Sequence, residues 1–164
     1  MRNDHLALRA DQALSAHPEN LNDDNVMGAV TPFFYEILLV DDHPLVRRGV
    51  KQIIEGSPDL RVMGEFQNGL ELLEFLKAKT PQLVILDISM PQLGGIEATR
   101  MIKENHPEIK VLILTLHNRR EYMHQAKLAG ADGYLLKEEV DKELLSAIRN
   151  IRQGQTYLSP LMSK

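Results

Sequence analysis

From residue 36 onward, apolar side chains change period along the chain. Ile37–Val40 is a short apolar run that stops at Asp41-Asp42. Leu45, Val46, Gly49, Val50, Ile53 and Ile54 then recur at helical spacing, with Pro44 suited to a first helical turn and Gly56 to its end. Leu60, Val62, Gly64 and Phe66 alternate with Arg61, Met63 and Glu65, the period of a half-exposed strand. Asn68 is a helix cap ahead of a helix reaching Lys79, with Leu72, Leu73 and Leu76 inward. Leu83–Leu86 reads as a buried strand ending at Asp87, and residues 95–105 as a helix closed by Pro107. Val111–Leu114 reads as a second buried strand, ending at Thr115. A helix over 119–128, a strand over 133–136 ending at Lys137 and a helix over 142–152 complete the series.

Five strand-helix units in this order predict an α/β fold: a parallel sheet with helices on both faces and right-handed crossovers. The first, third and fourth strands are continuous apolar runs, as buried parallel strands should be. The second and fifth are expected at the edges. The prediction is a flavodoxin-like (βα)5 doubly wound sheet of order 2-1-3-4-5. It spans residues 35–155, with 156–164 as the start of a linker.

Composition changes this picture mainly at the N-terminus. Two basic and five acidic side chains fall in residues 1–35, a net −3 of the chain's −4. Residues 1–34 are rich in Asn, Asp, Ala and His and are read as a mobile polar extension, although Leu6, Ala10, Ala13 and Leu14 would share one face of a short helix. The remainder is close to neutral, so charge gives no reason to expect direct nucleic-acid binding. Without cysteine there is no disulfide or thiolate metal site. No apolar run is long enough to span a bilayer and no signal sequence is recognisable, so a cytoplasmic location without membrane contact is expected.

Candidate chemistry gathers at the ends of the strands. Ligands of open parallel sheets bind beyond the carboxyl ends of the strands, near the switch in strand order. Asp41 and Asp42 follow the first strand, Asp87 the third, Thr115 the fourth and Lys137 the fifth. Taken singly, each has an ordinary reading: helix cap for the acidic pair, turn residue for Asp87, structural hydroxyl for Thr115, solvated lysine for Lys137. Jointly they place acids, a hydroxyl and an amine around one crevice. Clustered carboxylates repel one another unless a cation joins them. Mg2+, which takes oxygen ligands and keeps several waters, suits such a set, with Mn2+ as a substitute. Asp87 is then a carboxylate nucleophile for a phosphoryl group, with Lys137 countering its charge and Thr115 donating to a phosphoryl oxygen. His43 is read as a surface residue at a helix start rather than a ligand.

These segments resemble the receiver domains of two-component response regulators over roughly residues 36–160. "ILLVDDHPLVRRGV" resembles the first strand with its acidic pair, and "LVILDISMPQLGGIEATR" the phosphoacceptor strand and loop. "VLILTLH" is similar to the switch-hydroxyl strand and "AGADGYLLKE" to the lysine segment. The resemblance implies that Asp42, Asp87 and the Ser89 backbone carbonyl bind Mg2+, with Asp41 in support. It implies that Thr115 and Tyr134 are paired switch residues. It also implies a sensor histidine kinase as phosphodonor, self-catalysed phosphotransfer rather than turnover of an external substrate, and homodimerisation on phosphorylation. "DHPLVRRGV", "GADGYLLK" and "GQTYLSPLMSK" are most similar to the NarL/FixJ (LuxR-type) branch, whose members act on DNA through a C-terminal helix-turn-helix domain. No such domain lies in this sequence, and its linker-like ending suggests truncation, the other reading being a stand-alone receiver.

Three features depart from the family pattern: Leu116 is bulky beside the switch threonine, Glu138 replaces a proline after the lysine, and the N-terminal extension has no counterpart. A trans Lys137–Glu138 peptide is therefore expected. A non-phosphorylated pseudo-receiver would lack Mg2+ binding. A phosphohydrolase would need an acid at Ser89, and a flavin protein a hydroxyl-rich loop where "DDHP" stands.

Overall fold

In the computed structural model, which describes residues 33–164, every buried strand is one of the short apolar runs. The strands are β1 (Tyr35–Val40), β2 (Leu60–Phe66), β3 (Leu83–Leu86), β4 (Lys110–Thr115), β5 (Gly133–Leu136) and β6 (Tyr157–Leu158). All neighbours are parallel and the order is β2-β1-β3-β4-β5-β6. The helices are α1 (Pro44–Glu55), α2 (Gly69–Leu76), α3 (Gly95–Asn105), α4 (Arg120–Leu128) and α5 (Val140–Arg152).

The period-two rule divides the strand side chains between two cores. Ile37, Leu39, Ile85, Leu112 and Leu135 pack with Val50 and Ile54 of α1 and with Leu144, Ile148 and Ile151 of α5. Leu38, Val40, Val84, Leu86, Val111 and Ile113 face the other way, toward Leu72 and Leu76 of α2, Ala98 and Ile102 of α3, and Ala126 of α4. Both faces of the central strands are thus covered, which is why those strands show no polar alternation.

The predicted elements hold with small shifts at their ends. Asn68 caps α2, its Oδ1 accepting from Glu71 N at 3.0 Å. That helix stops at Leu76, one turn before the expected Lys79, and the chain tightens through Ala78 N to Phe75 O ahead of Pro81. α5 starts at Val140, two residues early, behind a 3-10 turn at Lys137–Glu139. No peptide bond among the described residues is cis, so Lys137–Glu138 is trans as expected.

The C-terminal segment corrects the sequence reading. β5 is not an edge. β6 pairs beside it, Gly133 opposite Tyr157 and Tyr134 opposite Leu158, inside the stretch expected to begin a linker. All four β5 residues are buried, as befits an inner strand. The expected mobile extension falls, apart from Phe33 and Phe34, outside the described residues.

Candidate functional site

Register brings the acidic residues together. Val40 lies opposite Leu86 in the β1–β3 pairing, so Asp41 and Asp87 leave the sheet side by side. Asp87 N donates to Val40 O at 3.0 Å, and Asp41 N to Phe66 O at 3.1 Å. On the other side, Thr115 lies opposite Leu136, which sets Lys137 just beyond the end of β5. α3 begins close beneath: a Cβ on Gly95 would sit 2.0 Å from the Asp87 carbonyl oxygen, so only glycine fits there.

Asp41 and Asp87 are only 5% and 4% exposed. Lys137 Nζ lies 2.7 Å from Asp41 Oδ2 and 3.1 Å from Asp87 Oδ2. Burial alone would push the Lys137 ammonium down, but its close pairing with Asp41 and the charge of Asp87 hold it above its ordinary value. Asp87 Oδ1 accepts from Ile88 N at 2.8 Å. Asp42 is more open, and its Oδ1 lies 3.0 Å from His43 Nδ1.

Neither acid of the pair acts as the helix cap. The N-cap of α1 is His43, without a side-chain cap, and Asp41 Oδ1 instead accepts from His43 N at 2.8 Å. The His43 side chain is 58% exposed, as read from its position, yet its Nδ1 also lies 3.0 Å from Asp41 Oδ1. Asp41, Asp42, His43 and Asp87 each offer a ligand atom within 4.8 Å of all the others. Asp41 Oδ2 faces the Lys137 ammonium and Asp42 Oδ1 the His43 ring, neither through a well-aligned hydrogen bond. Three converging carboxylates with one ammonium among them leave negative charge that a hard divalent cation would balance, so this donor set fits Mg2+.

Thr115 is fully buried, and its Oγ1 accepts from His117 N at 3.3 Å. Tyr134 also points inward, and its hydroxyl donates to His117 O at 2.7 Å. Burial, with the charge of Asp87 nearby, pushes this phenol well above its ordinary value. Leu116 is 72% exposed, its side chain turned to solvent. Sequence reading missed two residues here. His117 hydrogen-bonds Ser89 Oγ through Nε2 at 2.7 Å and stacks on Tyr122 with ring centroids 4.2 Å apart, joining the loop after Asp87 to α4. Its position two residues after Thr115 was the only available signal. Arg47 donates to the Asp41 carbonyl from one turn into α1.

A family model described as the response regulator receiver domain matches residues 37–149. The chain is 38% identical over 123 residues to the response regulator UvrY of Escherichia coli K12, covering 75% of this chain and 56% of that protein. It is 37% identical over 127 residues to the nitrate/nitrite response regulator protein NarL of the same strain, covering 77% and 59%. It thus spans little more than half the length of the curated relatives it matches. A crystal structure of a LuxR-family two-component response regulator from Aurantimonas sp. SI85-9A1 superposes with a TM-score of 0.76 at 37% identity, covering 79% of this chain and 93% of that one. No helix among the described residues is long and apolar enough to cross a membrane.

Proposed function

From the premise that this chain belongs to the response regulator receiver family and is a signalling domain of the NarL/LuxR type, we propose that it takes a phosphoryl group on Asp87 from a sensor histidine kinase. The observation that carries this reading is the buried Asp87 carboxylate, which shares one ammonium with Asp41 and converges with Asp41 and Asp42.

One Asp87 oxygen attacks the phosphorus of a phosphohistidine. The new O–P bond gives an acyl phosphate, the P–N bond breaks, and the departing imidazole takes its proton from solvent. No general base is required, because a carboxylate is already deprotonated at neutral pH. Ile88 N orients the acceptor through Oδ1. The Lys137 ammonium, already against Oδ2, follows the charge onto the phosphoryl oxygens. Asp41, Asp42, Asp87 and the Ser89 carbonyl would hold Mg2+, or Mn2+ in its stead, which supplies positive charge to the transferring group.

Thr115 would donate its hydroxyl proton to a phosphoryl oxygen, giving up its contact with His117 N. In a paired switch Tyr134 would move into space that Thr115 vacates; here its ring is already inside and its hydroxyl donates to His117 O. The switch is therefore read as a shift of the 115–122 segment around a Tyr134 that stays inward. Its outputs would be homodimerisation and, in a longer protein, control of transcription through a helix-turn-helix DNA-binding domain, with the domain itself working in the cytoplasm.

The test is intact mass after incubation with acetyl phosphate and Mg2+. One added phosphate in the wild type, absent in Asp87→Asn and absent without Mg2+, is the expected result. No gain from several donors together with no Mg2+ binding would instead favour a pseudo-receiver that works by protein–protein binding alone.

A further inference from the structure

Residues 157–162 are fastened to the backbone on both sides of Lys137. Tyr157 N donates to Asp132 O at 3.0 Å and Ser159 N to Tyr134 O at 2.8 Å. Ser159 is fully buried; its Oγ accepts from Leu136 N at 3.2 Å and donates to the Glu139 carboxylate. The other Glu139 oxygen accepts from Leu161 N at 3.3 Å. Met162 is buried in the core that also holds Tyr134 and Leu136. The anchors at 134, 136 and 139 thus bracket the lysine that engages Asp41 and Asp87. A 3-10 turn occupies Lys137–Glu139, so the Lys137 backbone lies in a short turn between the anchors at Leu136 and Glu139.

We propose that residues 157–162 form a clasp coupled to Lys137, closed on the backbone arrangement in which the ammonium reaches Asp41 and Asp87 and opening when that engagement is lost. For the phosphorylated state this rests on Asp87 being the acceptor: a phosphoryl group that holds Lys137 tightens the clasp. By linkage, an opened clasp loosens the lysine in turn. The clasp would hinge at the exposed 153–156 turn, where Gly154 has φ +82°.

Hydrogen exchange on the whole 164-residue chain tests the coupling. Lys137→Met should speed exchange of the 157, 159 and 161 amides about tenfold, the factor expected from losing one or two net hydrogen bonds, while the Ala78 and Lys79 amides, bonded to Phe75 O at the end of α2, keep their rates. Ser159→Ala should do the reverse, speeding the amides of residues 136–139. An unchanged tail in Lys137→Met, acceleration no greater than that of the Ala78 and Lys79 amides, or unchanged 136–139 amides in Ser159→Ala would each overturn the clasp. With acetyl phosphate and Mg2+, molecules that gain 80 Da (one phosphoryl, about, by the chemistry of transfer) should show slower tail exchange; equal rates would overturn the coupling. A chain that gains no mass defeats the acceptor reading instead, and the two substitutions still decide the clasp.

Discussion

Polar groups are buried in two places along this sheet, and they are treated in opposite ways. Outside β5, the Ser159 hydroxyl and the Glu139 carboxylate satisfy one another and two backbone amides. At the ends of β1 and β3, Asp41 and Asp42 keep oxygens without well-aligned hydrogen bonds, and two carboxylates share one ammonium. A finished network fixes structure, whereas an unfinished one stores unmet demand for positive charge. Removing a group should therefore have different consequences at the two places, and Mg2+ should tell them apart.

The largest effect is expected for Lys137→Met, which leaves Asp41 and Asp87 facing each other without a cation. Without metal it should cost about 4 kcal/mol in denaturant unfolding, with Mg2+ restoring a good part. Equal losses with and without Mg2+ would erase the proposed difference between the two sites. Alkaline titration reads the same pair. The Lys137 and Tyr134 values both lie above their ordinary 10.5 and 10.0, so their stabilisation is complete below about pH 10 and is lost as pH rises through the folded values. Thermal unfolding between pH 8 and 11 should show a steeper alkaline decline in the wild type than in Lys137→Met.

Gly95→Ala comes next, at about 3 kcal/mol, because the new methyl meets the Asp87 carbonyl rather than a side chain that can turn away. A near-neutral result would mean that α3 can slide from the acceptor backbone. Smaller effects separate the two regions most cleanly. Ser159→Ala should cost about 1.5 kcal/mol whether or not Mg2+ is present. Asp42→Asn should stabilise the metal-free chain by about 0.5 kcal/mol through relief of repulsion, yet abolish the Mg2+-dependent rise in Tm.

Much of this was legible in the chain itself. Long strands and helices announce themselves through period, and Asp41, Asp87, Thr115 and Lys137 stood out because each follows a strand directly. Two things were hidden. β6 has only two residues, too few to display a period, and it follows the polar Gln153-Gly154-Gln155-Thr156 break, so it read as linker. The sharing of Lys137 between Asp41 and Asp87 depends on strand register across three neighbours, and register is a property of the folded sheet. His117 escaped for a similar reason: its partners Ser89, Tyr122 and Tyr134 come from three separate elements.

The short sixth strand also bears on how the molecule behaves among copies of itself. Without it, β5 would present a row of free amides and carbonyls beside Tyr134, Leu135 and Leu136, a surface on which another chain could add a strand. β6 covers that row for two residues, and Pro160, which has no amide hydrogen, follows almost at once. The sheet therefore ends in an edge too short to template further pairing. Cleavage within the exposed 153–156 turn would remove this guard, and the expected symptom is aggregation before any loss of the acidic site.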